Sequence, residues 1–284
     1  RDPLREGILD DLNTDIYYGS VTDRSALRLA MVRVDAVVHL VAVLRQHNRK
    51  AYRTINHQGT WNVVSAAKAE KVNHLVHMSL LGVKDSSKYP YLYSRWLGEQ
   101  EVIKSGIPYT IIRPSFLFGP GDQFVTVLAA LAKLLPLIPT PRLDKVKFQP
   151  MSVEDLARCV ALTVGNEDLM GKVVELGGPE HLSYSQVLRV VLSTCSLSRA
   201  RVPTPLPVLR LFAAGLSLLF PRTPLNNRHL DMLAVNGLTR LEVAEETYGF
   251  SPRPLTSNIE YIRQLSRWDA LRIVLGLNDD KTDY

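Results

Sequence analysis

A chain of 284 residues, 46% hydrophobic and 22% charged, has enough apolar material for one large or two modest folded domains and falls outside the compositions of disordered, collagen-like or membrane-spanning chains. Its 34 Lys and Arg against 28 Asp and Glu leave a formal charge of +6. The basic residues are scattered, without the stripe and interleaved aromatics of a nucleic-acid binder, so nucleic acid is not an expected partner. Cys159 and Cys195 lack ligand spacing, which argues against a disulfide framework or a zinc site and fits a reducing, cytoplasmic compartment.

From residue 15 to 113 strand-like and helix-like patterns alternate, as a parallel sheet with crossover helices requires. Residues 15–19 read as a short strand and 23–31 as a helix opened by an Asp23 cap. A buried strand follows at 34–40, a long amphipathic helix at 48–70, a second buried strand at 73–79 and a helix at 91–105. The strands are nearly continuous in apolar residues, which predicts cover on both faces.

Residues 108–122 read as a buried strand that is deliberately broken. Tyr109 to Ile112 favour a strand, Pro114 cannot continue a ladder, and Gly119-Pro120-Gly121 is turn chemistry before a new helix. Arg113 is thereby placed at the carboxyl end of a strand, where open α/β sheets bind ligands. Beyond it the pattern predicts a helix at 124–135, a proline-bearing segment at 136–141, a strand near 147–151 and a helix at 153–164. A strand at 172–176, the turn Gly177-Gly178-Pro179 and a helix from Ser183 come next. Residues 203–265 read as mainly helical and 266–284 as a polar tail.

Several motifs then match one family in order. These are Val34-Asp-Ala-Val-Val-His-Leu40, Asn56-x-x-Gly-Thr60, His77-Met-Ser79, Tyr91-x-x-x-Arg95, Arg113-Pro-Ser-Phe-Leu-Phe-Gly-Pro-Gly-Asp122, Gln149-Pro-Met-Ser-Val-Glu-Asp-Leu-Ala157 and Val174-Glu-Leu-Gly-Gly-Pro179. Over nearly its whole length the chain resembles the extended and atypical short-chain dehydrogenase/reductase superfamily. Within it, Pro205-Leu-Pro-Val-Leu-Arg-Leu211 and Tyr248-Gly-Phe-Ser-Pro-Arg-Pro254 are similar to the branch of the nucleotide-binding accessory subunit of respiratory complex I. The fold so implied is α/β, a doubly wound parallel sheet with a smaller, helix-rich carboxy-terminal lobe. Residues 1–147 are expected to form the NAD(P)-binding domain and 148–284 mainly the lobe, with some segments returning to the sheet and a ligand cleft between the two.

The resemblance also implies a nicotinamide dinucleotide cofactor, NADP or NAD, with NADP slightly favoured because Arg1 falls where a basic residue pairs with the 2′-phosphate. Ser20, Leu40, Val41, Ala42, Arg113 and Pro114 are the other implied cofactor contacts. Ser79, Tyr91 and Arg95 take the catalytic positions. Arg95 stands where the family has a lysine that lowers the tyrosine pKa and bonds the nicotinamide ribose, and a planar guanidinium is not equivalent to an ammonium there. Function therefore divides between an oxidoreductase or epimerase-type enzyme of low turnover, acting on an unidentified small molecule, and a non-catalytic nucleotide-binding subunit docked on a membrane complex, at the inner face of an energy-transducing membrane. An NmrA-like redox sensor is a third reading.

The superfamily's glycine-rich turn, which brings a helix N-terminus against the pyrophosphate, is not found in this sequence. Arg1-Asp2-Pro3 resembles the residues just past the second strand, so roughly 30 amino-terminal residues, one strand-helix unit, are expected to precede it. Residues 208–220 form the longest apolar stretch, 13 residues containing Arg210. That is short of the about 20 needed to span a bilayer, leaving a buried helix or an interfacial one.

Overall fold

The computed structural model describes residues 14–44, 49–141, 146–226 and 237–277. The chain divides into two compact units, Arg1–Pro114 with Ala157–Leu176, and Ser115–Leu156 with Gly177–Tyr284. Residues 115–147, expected with the sheet, thus go with the second unit, because their apolar side chains pack into its core.

In the first unit four strands form one parallel sheet in the order Ala36–His39, His74–Met78, Tyr109–Pro114, Lys172–Leu176. Leu75, Val76, Ile111 and Ile112 are wholly buried, as strands covered on both faces require. The register sets His39 opposite His77, Met78 opposite Ile112 and Arg113 opposite Glu175. A helix runs from Arg49–Ala51 through a wide π-helical stretch, Tyr52–Gln58, into Gly59–Ala69. With Pro90–Ile103 it supplies the helical layer, and Val63, Val64, Ala67, Leu75, Val102 and Ile111 share one core. The helix Arg24–Ala30 begins where Asp23 Oδ1 accepts the amides of Ser25 and Ala26, both at 3.0 Å.

The strand expected at 15–19 is not formed. Residues 14–20 have no regular structure, no described strand pairs with them, and Ile16, Tyr17 and Tyr18 are exposed. A run of strand-favouring residues, Ile16 to Tyr18, is not enough to make a strand without a ladder to join.

The second unit has its own core, in which Phe118, Phe124, Phe148, Leu128, Val187, Leu188, Leu255, Ile259 and Ile262 pack around the helices Val125–Leu134 and Tyr184–Thr194. Phe116, Phe124 and Phe148 form an aromatic trio with centroids 4.8–5.6 Å apart. Asp122 caps the first of those helices and also accepts the Tyr261 hydroxyl at 2.6 Å. Arg253 is tied to Asp155 through its amide at 2.7 Å and its Nε at 3.1 Å, so two of the sequence motifs meet in one ion pair.

Two corrections fall here. The proline-bearing segment contains a strand, Leu137–Pro141, paired in parallel with Ala200–Thr204. Prolines fit because a two-stranded ladder leaves each strand a free edge. The expected polar tail contains a helix, Arg267–Leu275, opened by a Ser266/Asp269 capping box and closed by Gly276 at φ +66°.

At Gly178 a Cβ would stand 1.8 Å from the Pro150 carbonyl oxygen. Gly178→Ala must therefore displace backbone, and it is expected to lower stability by about 1–3 kcal/mol. A urea midpoint equal to that of the parent would show that the turn relaxes freely.

Candidate active site

Pro90 opens its helix at a position where no N–H is required. Tyr91, Arg95 and Glu99 then recur every four residues and share one helix face. Gly98 lets this helix close on its neighbour, since a Cβ there would lie 2.9 Å from the Asn56 carbonyl oxygen. Asn56 sits within the π-helical stretch, a feature that often marks functional sites. Its Oδ1 accepts the Val43 amide at 2.8 Å, and its Nδ2 donates to the Val43 carbonyl and to Ser94 Oγ, each at 3.1 Å. One buried side chain thus fixes both the segment that follows Leu40, Val41 and Ala42 and the helix that carries Tyr91. Its positioning role was not read from the sequence, although the Asn56-x-x-Gly-Thr60 pattern was the signal.

Leu40, Val41 and Ala42 leave the carboxyl end of the first strand and are exposed. At the end of the next strand, Ser79 is buried and its amide donates to the Ile112 carbonyl at 2.7 Å. Arg95, 3% exposed, donates Nη2 to the Met78 carbonyl. Its Nε and Nη1, Ser79 Oγ and both ring nitrogens of His77 are buried with no hydrogen-bond partner among the described residues. Five such atoms in one neighbourhood are unusual, because an unmet buried polar group costs about 1–3 kcal/mol. The Tyr91 ring lies 5.7 Å from that of Tyr52. Burial pushes the Tyr91 phenol above its usual range, while the Arg95 charge pulls the other way. The pKa lowering that the family lysine supplies does not prevail here. Burial also lowers Arg95, with Tyr91 and then Glu99 opposing.

Arg113, expected at the cofactor, spends its donors elsewhere. Nε and Nη2 clasp the Glu99 carboxylate at 2.9 and 2.7 Å, and Nη1 reaches Glu175 at 3.0 Å. The bond to Glu99 is the chief cause of its raised pKa. It is a tie between helix and sheet. The neighbouring Pro114 is buried, its carbonyl accepting the Leu81 amide at 2.8 Å. Ser20 Oγ pairs locally with Thr22 Oγ1 at 2.9 Å. Arg1 lies outside the described residues. The structure therefore sets Arg95 beside the strand end that carries Ser79, on the helix face of Tyr91, and ties Arg113 to that helix through Glu99.

A parallel sheet with an exposed loop and unmet donors at its carboxyl ends has the features of an α/β protein that binds its ligand there. The comparisons agree. A family model described as NAD(P)H-binding matches residues 1–161. Alpha subcomplex subunit 9 of mitochondrial NADH dehydrogenase (ubiquinone) from Rattus norvegicus is 26% identical over 275 residues, covering 93% of this chain and 71% of that protein. The Arabidopsis thaliana protein of the same name is 22% identical over 71% of this chain, which spans only 51% of its length. Triphenylmethane reductase of Citrobacter sp. shares the fold, with a TM-score of 0.77 at 16% identity over 93% of this chain and 88% of that one. The chain belongs to the NAD(P)H-binding family and is similar to the alpha subcomplex subunit 9 proteins of mitochondrial NADH dehydrogenase. Its cofactor is a nicotinamide dinucleotide.

The residues present fit the polar, nicotinamide-ribose end of such a cofactor. The two unmet Arg95 donors and the Ser79 hydroxyl could hold ribose hydroxyls or a carbonyl, and bound there the cofactor supplies hydride chemistry.

Proposed function

We propose that this protein binds NADP(H) in preference to NAD(H), and that Ser79, Tyr91 and Arg95 serve a slow reductase- or epimerase-type reaction on a small carbonyl or hydroxyl compound. The observation that carries this reading is the group of unmet donors on Arg95 and Ser79 beside the Tyr91 helix face. Ser79 orients the substrate oxygen, Tyr91 moves a proton at its phenol oxygen, and Arg95 stabilises the phenolate. Arg1 favours the phosphorylated cofactor through bidentate pairing with the 2′-phosphate.

The raised Tyr91 pKa supports a second reading, a nucleotide-binding accessory subunit that keeps its cofactor for stability. Peripheral attachment to a respiratory membrane complex belongs to that reading, supported by the complex I subunits among the relatives. Among the described residues no helix is long and apolar enough to cross a membrane.

One experiment separates the two. NADPH and NADH affinities are measured by fluorescence titration of the full-length protein, alongside turnover with a carbonyl panel. For the enzyme, Tyr91→Phe lowers turnover by about 10² with cofactor affinity unchanged, and Arg95→Lys preserves or raises activity. For the accessory subunit, NADPH raises the melting temperature and Tyr91→Phe changes nothing. No binding of either dinucleotide would sink both.

A further inference from the structure

The helix Leu206–Leu219 is turned the wrong way for a helix bathed in water. Leu206, Leu209, Ala213, Leu216 and Ser217 face the protein, yet Ala213 alone is fully buried. The opposite face presents Val208, Leu211, Phe212, Leu218 and Leu219 at 55, 77, 63, 83 and 74% exposure. Arg210, beside Ser217 on the helix circumference, is the only charged residue in the helix. A surface helix of a water-soluble protein shows the reverse, with its polar face outward. These five side chains make a patch on the order of 600 Å², the upper end of what a monomer normally exposes.

Along the sequence on either side of the patch the charge has one sign. From His181 to Leu230 the sequence holds no Asp or Glu, and six arginines. Arg201 lies on the exposed strand that feeds the helix, and Arg222 two residues after its C-cap, Phe220. Pro205, Pro207 and Pro221 bracket the helix and stop its extension. Fourteen residues rise about 21 Å, too little to span a bilayer.

We propose that this helix lies in the plane of an anionic lipid surface, with Val208, Leu211, Phe212, Leu218 and Leu219 in the acyl boundary and the flanking arginines among the headgroups. An apolar groove on a protein would accept the same side chains, but fifty residues without a carboxylate match a negatively charged interface. The assignment is independent of the dinucleotide site.

Flotation of the full chain with phosphatidylcholine vesicles, with and without phosphatidylglycerol, tests it. The protein is expected to float with the anionic vesicles, at least about tenfold more than with phosphatidylcholine alone, and to be released at about 1 M salt, where the Debye length falls to about 3 Å. Leu211→Glu/Leu218→Glu changes only exposed positions, so its circular dichroism stays unchanged while flotation drops about tenfold or more. Arg201→Ser/Arg222→Ser lowers flotation on anionic vesicles only. Equal flotation on both vesicle types overturns the anionic assignment. Absence of flotation overturns the proposal, whether the protein is a monomer or a dimer that the Leu211→Glu/Leu218→Glu variant disperses, the latter showing that a second copy covers the face.

Discussion

Glu99→Gln is expected to destabilise the protein by about 3–5 kcal/mol, although Glu99 touches neither Ser79 nor Tyr91 in the proposed chemistry. Glu99 is completely buried and faces two guanidiniums. It accepts both prongs of Arg113 and lends favourable charge to Arg95 one turn earlier. Neutralising it leaves one buried arginine with no carboxylate nearby and another with Glu175 as its remaining partner. Glu175 is 41% exposed, so Glu175→Gln should cost only about 0–1 kcal/mol. The contrast makes the claim testable by urea denaturation of the two variants. Similar midpoints would mean that water reaches the pair and that the ion pair is worth little. A Glu99→Met/Arg113→Met double variant should recover part of the loss, because two apolar chains of similar size remove the unpaired charge.

Much of the first unit was legible because its signals are local. Continuous Val, Ile and Leu runs mark its strands, and an Asp cap or a first-turn Pro marks two of its helices. The ordered motifs also brought the family within reach. The site was less legible where a residue's work depends on a distant partner. Arg113 was placed correctly at a strand end, but the carboxylates that occupy it come from a helix 14 residues earlier and a strand 62 residues later. Asn56 acts through Val43 and Ser94, a pairing that no periodicity announces. The strand Ala200–Thr204 was hidden by Pro203, which only a free ladder edge tolerates. The helix Arg267–Leu275 was hidden by polarity, although Ser266, Asp269 and Gly276 were adequate capping signals.

Acidification should unfold this protein earlier than its carboxylates alone would dictate. His39, His74 and His77 lie on the first two strands, and all three are buried. Thr60 Oγ1 donates to the Asn56 carbonyl at 2.7 Å, so His39 Nε2, 3.1 Å away, must be the donor between them. Thr110 Oγ1 likewise donates to the Leu169 carbonyl at 2.7 Å, which makes His74 Nε2 a donor, while Nδ1 accepts the Gly165 amide. His74 is thus held neutral, and burial lowers its pKa. His77 lies across the sheet from His39, with ring centroids 5.2 Å apart. Burial and then the Arg95 charge push His39 down to about 3, while burial, His39 and Arg95 push His77 well below its ordinary value. A histidine depressed on folding takes up its proton in the unfolded chain first, so its contribution is fully present above about pH 6.5 and is lost as pH falls from there toward the folded value. Each contributes about 1.4 kcal/mol per pH unit in that window. His39 alone should remove about 2 kcal/mol between pH 7.5 and 5.0, and His77 acts in the same direction. Urea midpoints across that range provide the measurement, and His39→Asn/His77→Asn, though less stable at neutral pH, should show most of the slope gone. A stability that stays flat from pH 7.5 to 5.0 would mean that both rings take up protons in the folded protein, against the direction in which burial drives them.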